Sequence, residues 1–224
     1  MRACAVVFLL LVALAWTANA QDPAPSGTPP VTPKEVTPLF NGKDLSGWKL
    51  YLGDKGPDPA TVWSVKDGIL HCTGKPSGYI RTEGAYRNYV LIVEWRWPAG
   101  EGNNGVLVHT SGPDEVWPKS IECQLHTGDA GDFWVIGGTD FAEHTDKSER
   151  RVPNKTDDTE KPLGEWNQMK IVANEDTLTV FVNDKEVNKA TQTTVTGGAI
   201  CLQSEGTPIE FRRVELQPLE EKKQ

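Results

Sequence analysis

The sequence is poor in the residues that most directly announce chemistry. Four cysteines and four histidines are spread through 224 residues. They form no C-x-x-C pair and no local histidine spacing suited to a metal, which excludes a zinc finger and a dense disulfide scaffold. Basic charge is also short: 23 Lys and Arg face 31 Asp and Glu, a formal net charge of −8. Nucleic-acid binding needs a basic stripe, and none is present. Docking on an anionic membrane is disfavoured for the same reason. There is no G-x-S-x-G elbow and no phosphate-cradling glycine loop ahead of a helix. No apolar run reaches the roughly 20 residues of a membrane-spanning helix.

The ends of the chain carry little that can fold. Arg2, the short apolar run Val6 to Leu14 and the Ala18-Asn19-Ala20 cleavage signal have the layout of a secretory signal peptide over residues 1–20. They predict an exported protein, periplasmic or extracellular, with no membrane span after cleavage. Residues 21–38 hold six prolines and almost no large apolar side chain, the composition of an extended linker. One domain is expected over 39–219, with a polar tail at 220–224. The three cysteines beyond the signal, Cys72, Cys123 and Cys201, sit in alternating apolar stretches and read as buried thiols.

What fills the domain is strand. Short runs rich in β-branched and aromatic residues follow one another, and none sustains a helical period. Lys66-Asp67-Gly68 and Asn183-Asp184 look like hairpin turns. Many short strands in one domain of this size predict an all-β sandwich or jelly roll.

Alternation assigns faces. Within 121–126, Ile121, Cys123 and Leu125 point one way, and Glu122, Gln124 and His126 form a polar row on the other. Such a row is either a solvated outer face or a set of groups converging on a ligand. In the strand from Tyr89 to Trp97, Glu94 and Arg96 share a face opposite Leu91, Val93, Trp95 and Trp97. Trp48, Trp63, Trp95 and Trp97 read as core. Trp117 and Trp134 adjoin loops rich in Gly, Pro and Asp, where an exposed ring can serve as a stacking platform.

Several segments, taken in order, carry a resemblance. Trp63 to Leu70 matches W-x-V-x-D-G-x-L, and Ser77 to Thr82 resembles S-G-Y-L-x-T. Leu91 to Arg96 is similar to L-x-x-E-W-R, Gly102 to Val106 to G-N-S-G-V, and Ile121 to Leu125 to Y-E-x-Q-I. Leu39 to Trp48, Gly164 to Asn167, Cys201 to Gln203 and Glu210 to Arg212 complete the series. Together they resemble the 3-keto-disaccharide hydrolase domain family. The resemblance implies a concanavalin A-like jelly-roll β-sandwich acting on carbohydrate, an oxidised glycoside or disaccharide. The chain departs from the family pattern at His109, where Arg is frequent, and at Leu202-Gln203-Ser204-Glu205-Gly206, which lacks the His of L-Q-D-H-G. Both positions are expected to border the site.

The row Glu122-x-Gln124-x-His126 offers one carboxylate, whereas ordinary retaining hydrolysis needs a pair at a defined separation. The family name implies a different route. A keto group at sugar carbon 3 acidifies the hydrogen on carbon 2, and one general base then suffices for elimination followed by hydration. The expected base is Glu122 or Glu94. His109, Arg96 or His126 would stabilise the oxyanion, and Gln124 and Gln203 would bind hydroxyls. Trp134 and Trp117 would stack on the sugar. No cofactor is required by this reading; a divalent cation held by His109, His126 and Glu122 is weighed below plain hydrogen bonding. A noncatalytic carbohydrate-binding module and a structural sandwich of the laminin-G kind are the alternatives.

Overall fold

The computed structural model describes residues 27–53, 58–156 and 159–220. The expected signal peptide, the first part of the expected linker and most of the expected polar tail lie outside these residues. Among the described residues there is one 3-10 turn, Pro59–Thr61, and fifteen strands. In chain order these are β1 (Thr37–Pro38), β2 (Trp48–Leu52), β3 (Trp63–Lys66), β4 (Ile69–Cys72) and β5 (Gly78–Thr82). Then come β6 (Tyr89–Arg96), β7 (Gly105–Ser111), β8 (Lys119–Gln124), β9 (Phe133–Ile136) and β10 (Arg151–Val152). The last five are β11 (Asn167–Asn174), β12 (Thr177–Val182), β13 (Lys185–Ala190), β14 (Ala199–Ser204) and β15 (Ile209–Pro218). No described helix is long and apolar enough to cross a membrane.

The strands form two antiparallel sheets. One runs β13-β12-β11-β6-β15-β4-β3, with β1 added on β15; the other runs β10-β9-β8-β7-β14-β5-β2. Both expected hairpin turns are present. Asp67 and Gly68 (φ 53° and 77°) join β3 to β4, and Asn183 and Asp184 (φ 47° and 68°) join β12 to β13. Paired positive φ angles give the turn whose twist matches that of the flanking strands.

The core is the set of inward positions of both sheets: Leu91, Val93 and Trp95 from β6 against Val106, Val108, Ile121 and Cys123 from β7 and β8. Trp48, Trp63, Trp95 and Trp97 all belong to it. Cys72, Cys123 and Cys201 are buried and free.

The proline-rich stretch is not an unattached spacer along its whole length. Val31 N–H donates to Ala85 O (2.9 Å), Arg87 N–H donates to Val31 O (3.0 Å), and Thr37 and Pro38 pair with Leu216 and Glu215 of β15. Composition predicted an extended chain, and extended it is; an exposed strand edge gives it something to pair with.

The two outer faces differ, and the difference places the site. Strands β11 and β12 alternate buried with half-buried residues, so their outer face meets water. Strands β5, β7 and β14 are buried at every position. A strand buried on both faces has something covering its outer side. Here the cover is made of loops, and a second small apolar cluster of Tyr79, Leu107, Ile136 and Cys201 lies beneath them.

Candidate active site

The pocket opens on the covered outer face of the β8-β7-β14 sheet. Its volume is about 170 Å³ and it is lined by Asn103, Trp117, Glu122, Gln124, Trp134, Ile136, Arg150 and Glu205. Glu122 and Gln124 come from β8, where the pleat turns them away from Ile121 and Cys123 in the core. Gln203 comes from β14, two strands away. Gly105 of β7 stands between them: a Cβ there would lie 2.1 Å from Glu122 Oε1 and 2.5 Å from Gln203 Oε1. Glycine at 105 is what lets the carboxyl and the amide converge over the intervening strand.

Several buried polar atoms of this pocket have no hydrogen-bond partner in the protein. Glu122 is 5% exposed and Gln203 1%, yet Glu122 Oε1 and both amide atoms of Gln203 make no hydrogen bond. Asn103 Oδ1, Glu205 Oε2 and Trp134 Nε1 are likewise buried and unpaired. An unpaired buried polar atom costs about 1–3 kcal/mol. Several of them around one hollow mark a surface built to be completed by a polar ligand. Gln124 is partly committed, because its Oε1 accepts from Leu125 N (3.0 Å) and His126 N (3.3 Å). Its Nε2 protons remain to donate.

Electrostatics follow from burial. Desolvation, with added repulsion from Glu205, pushes the Glu122 carboxyl up to about 8 against the weaker pull of Gln203 and Arg150. Burial also raises Glu205, opposed by His126 and Asn103. Arg150 brings the cation of the lining, its guanidinium 5.7 Å from the Trp134 ring centre.

One wall is held from below. Arg81, with its side chain 4% exposed, donates from Nε and Nη2 to Asp114 Oδ1 and Oδ2 at 2.7 and 2.9 Å. Tyr79 Oη donates to the same Oδ1 at 2.8 Å. Burial would raise the Asp114 carboxyl, but these bonds and the guanidinium charge hold it below the usual range. The anchor ties the loop bearing Trp117 across the sheet.

The structure thus brings together Glu122, Gln124, Trp117 and Trp134, with Gln203 beside Glu122. The other four candidates lie outside the lining of this pocket. Glu94 and Arg96 belong to β6 in the other sheet and point outward there. Glu94 accepts from Arg212 Nε (2.5 Å) and Gln168 Nε2 (3.2 Å); Arg96 pairs with Glu210 (2.5 Å) and packs on Trp166. The whole core separates them from Glu122. His109 departs because β7 is irregular between Val108 and Ser111, and His109 itself takes φ 55°. A bulge breaks the alternation. Its ring is fully buried edge-on to Tyr89, with Nδ1 3.1 Å from Val195 O, and burial lowers its pKa to about 4. His126 follows the end of β8 and pairs with Asp129 at 2.9 Å, its side chain 47% exposed. His109, His126 and Glu122 therefore do not meet. Among the described residues no group of three or more His, Cys, Asp or Glu could hold a metal ion.

Asn103, Arg150 and Glu205 were not singled out as site residues. Asn103 lies in the quoted Gly102-Asn103-Asn104-Gly105 element, and Glu205 is the departure in Leu202 to Gly206, two residues on from Gln203. Arg150 sits in a loop that carries no such signal.

Residues 35–217 match the model of the 3-keto-alpha-glucoside-1,2-lyase-like domain. The chain belongs to this family. A curated relative, a 3-keto-disaccharide hydrolase of Bacteroides thetaiotaomicron, is 26% identical over 179 residues, or 70% of this chain. The match spans 59% of that relative's length. A candidate glycosyl hydrolase from Parabacteroides distasonis has the same fold, with a TM-score of 0.63 at 23% identity over 83% of this chain and 100% of that one. So does a β-glucanase from Bacillus licheniformis, with a TM-score of 0.54 at 14% identity over 81% and 96%. The architecture is the jelly-roll sandwich expected from the strand pattern.

Proposed function

We propose that this chain is an exported carbohydrate-active enzyme that cleaves the glycosidic bond of 3-keto-glycosides by base-assisted elimination and hydration. The observation that carries this reading is the pocket beside Gly105, where buried Glu122 and Gln203 have polar atoms without partners. A polyhydroxylated ring carries donors and acceptors on every side and would complete such a surface. Family membership supports the keto-sugar as substrate.

Glu122 is the base. Its low-dielectric setting raises its proton affinity, so the ionised form is a stronger base than a solvated carboxylate. It takes the proton from carbon 2, whose acidity comes from the adjacent ketone. Negative charge then develops on the ketone oxygen, and Arg150 is the lining cation available to meet it. That role was expected of His109, Arg96 or His126, none of which lines the pocket. The amides of Asn103, Gln124 and Gln203 bind hydroxyls, and Trp134 and Trp117 bound the ring's apolar faces.

The test is incubation with 3-keto-glycosides and their unoxidised parents, with and without chelator, following aglycone release by wild type and by Glu122→Gln. Turnover of the keto substrate by wild type alone supports the reading. Sugar binding without turnover in both proteins makes the domain a binding module. No sugar binding in either makes it a structural sandwich.

A further inference from the structure

We infer that Glu205 is a second catalytic carboxyl, the proton donor to the leaving oxygen, standing on the ridge between the ring pocket and a larger hollow that receives the leaving group. The inference rests on the proposed function above and assigns a role to a residue where the family pattern frequently has His.

Two pairs of chain neighbours draw the ridge. Glu205 lines the ring pocket, and Gly206 lines a second hollow of about 690 Å³. Trp117 lines the first, and Val116 the second. The other walls of the second hollow are Gly53, Lys75, Pro76 and Ser77. Val116 closes on Gly53, where an added Cβ would lie 2.4 Å from its Cγ2, and Ser204 Oγ donates to Pro76 O at 2.9 Å. The divide is therefore built from packed residues. In the proposed pose the sugar sits against Glu122 in the smaller pocket and its exocyclic bond crosses this divide, beside Glu205. Glu205 is partly buried and its Oε2 has no partner.

The chemistry balances with these two groups. Glu122 as carboxylate removes the proton from carbon 2, and the C–H electron pair becomes the bond between carbons 1 and 2. The electron pair of the bond from carbon 1 to oxygen leaves with that oxygen, which takes the proton of Glu205. Water then adds in reverse: Glu205 takes a proton from water as its oxygen bonds carbon 1, and Glu122 returns its proton to carbon 2. Both carboxyls end as they began, and the net change is hydrolysis.

The reactive form carries one proton on the pair, held by Glu205; burial favours that proton on Glu122, so the reactive form is the less populated of the two one-proton states. Glu122 and Glu205 repel each other when both are ionised, and such pairs titrate in two separated steps. Arg150 faces Glu122, His126 and Asn103 influence Glu205, and the Cys123 thiol lies behind Glu122 on the core face. The pH–rate profile is therefore a bell.

The experiment uses the full chain, wild type and Glu205→Gln, with two 3-keto-glucosides that differ in aglycone: 4-nitrophenol, which departs without a proton, and a simple alkyl alcohol, which does not. Expected is a loss on the order of 10²–10⁴-fold on the alkyl substrate with the nitrophenyl rate nearly kept. The alkaline limb of the bell disappears, and the acidic limb does not move to lower pH, because Glu205 is still neutral there and exerts no repulsion. Retained nitrophenyl turnover also shows that the variant is folded. Equal losses on both substrates, or no loss on either, overturn the role of Glu205 and leave the proposed function standing. Wild type inactive on both substrates overturns the proposed function and this inference with it. Glu205→Asp, which keeps an acid on a shorter arm, should recover part of the alkyl activity; if it is no better than Glu205→Gln, the assignment is wrong.

Discussion

Gly105 and Glu122 share one space: a methyl group on residue 105 would lie 2.1 Å from the carboxyl oxygen of residue 122. The glycine belongs to the site as much as the carboxyl does, because the strand between β8 and β14 must be bare for the two strands' side chains to meet.

Gly105→Ala tests this. The atoms met by the new methyl are the ends of two side chains, Glu122 and Gln203, so the fold should survive while the carboxyl is displaced. A misplacement of about 1 Å can cost about 10²-fold in rate. The expected result is near-native circular dichroism with kcat reduced by that order. An unchanged kcat would mean that the position of Glu122 does not matter.

Stability should depend on pH through Glu122. Its folded pKa, about 8, lies above the ordinary carboxyl value. The neutral form is thus favoured by folding, and the contribution is fully present at low pH. It is lost as pH rises from the unfolded value through about 8, at a slope of up to ~1.4 kcal/mol per pH unit. Urea unfolding between pH 5 and pH 8 should show wild type losing stability relative to Glu122→Gln. Parallel curves would contradict the burial argument.

Asp114→Ala removes the partner of a buried guanidinium. Breaking such a pair by deleting one side costs up to ~3–5 kcal/mol, less here because Asp114 is partly exposed; about 2 kcal/mol is expected. For a domain of this size that lowers Tm by roughly 4–8 °C. The loop bearing Trp117 is loosened with it, so KM should rise more than kcat falls. A change in kcat alone would mean that the anchor does not act through Trp117.

The tryptophans separate the two faces of the sandwich. Trp134→Ala and Trp117→Ala should each weaken sugar binding about tenfold, equivalent to ~1.4 kcal/mol. Trp166→Ala, on the far sheet between Arg96 and Arg212, should leave it unchanged. Calorimetric titration measures all three. A loss confined to Trp166→Ala would move the site to the face that carries Glu94.

The strands were legible because local alternation and turn residues encode them, and the pleat correctly set Glu122 and Gln124 apart from Ile121 and Cys123. The same reasoning failed where its premise did. His109 lies at a bulge, and one residue out of register inverts the face on which a side chain falls. His126 was read as strand, but β8 ends at Gln124 and a turn follows. For Glu94 and Arg96 alternation gave the right face of the strand, but only long-range pairing of β6 with β11 and β15 decides the sheet. Glu205 was within reach of the sequence, because it shares the parity of Gln203 and sits at a departure from the family pattern. Arg150 was not, since nothing local says where a loop will fold back.

The most direct measurement is aglycone release from a 3-keto-glycoside and from its unoxidised parent, run beside sugar binding, for wild type and Glu122→Gln. The account predicts turnover of the keto substrate by wild type, none of the parent, and a variant that still binds sugar but has lost turnover. Equal turnover by the variant, or cleavage of the parent as fast as the ketone, would contradict it.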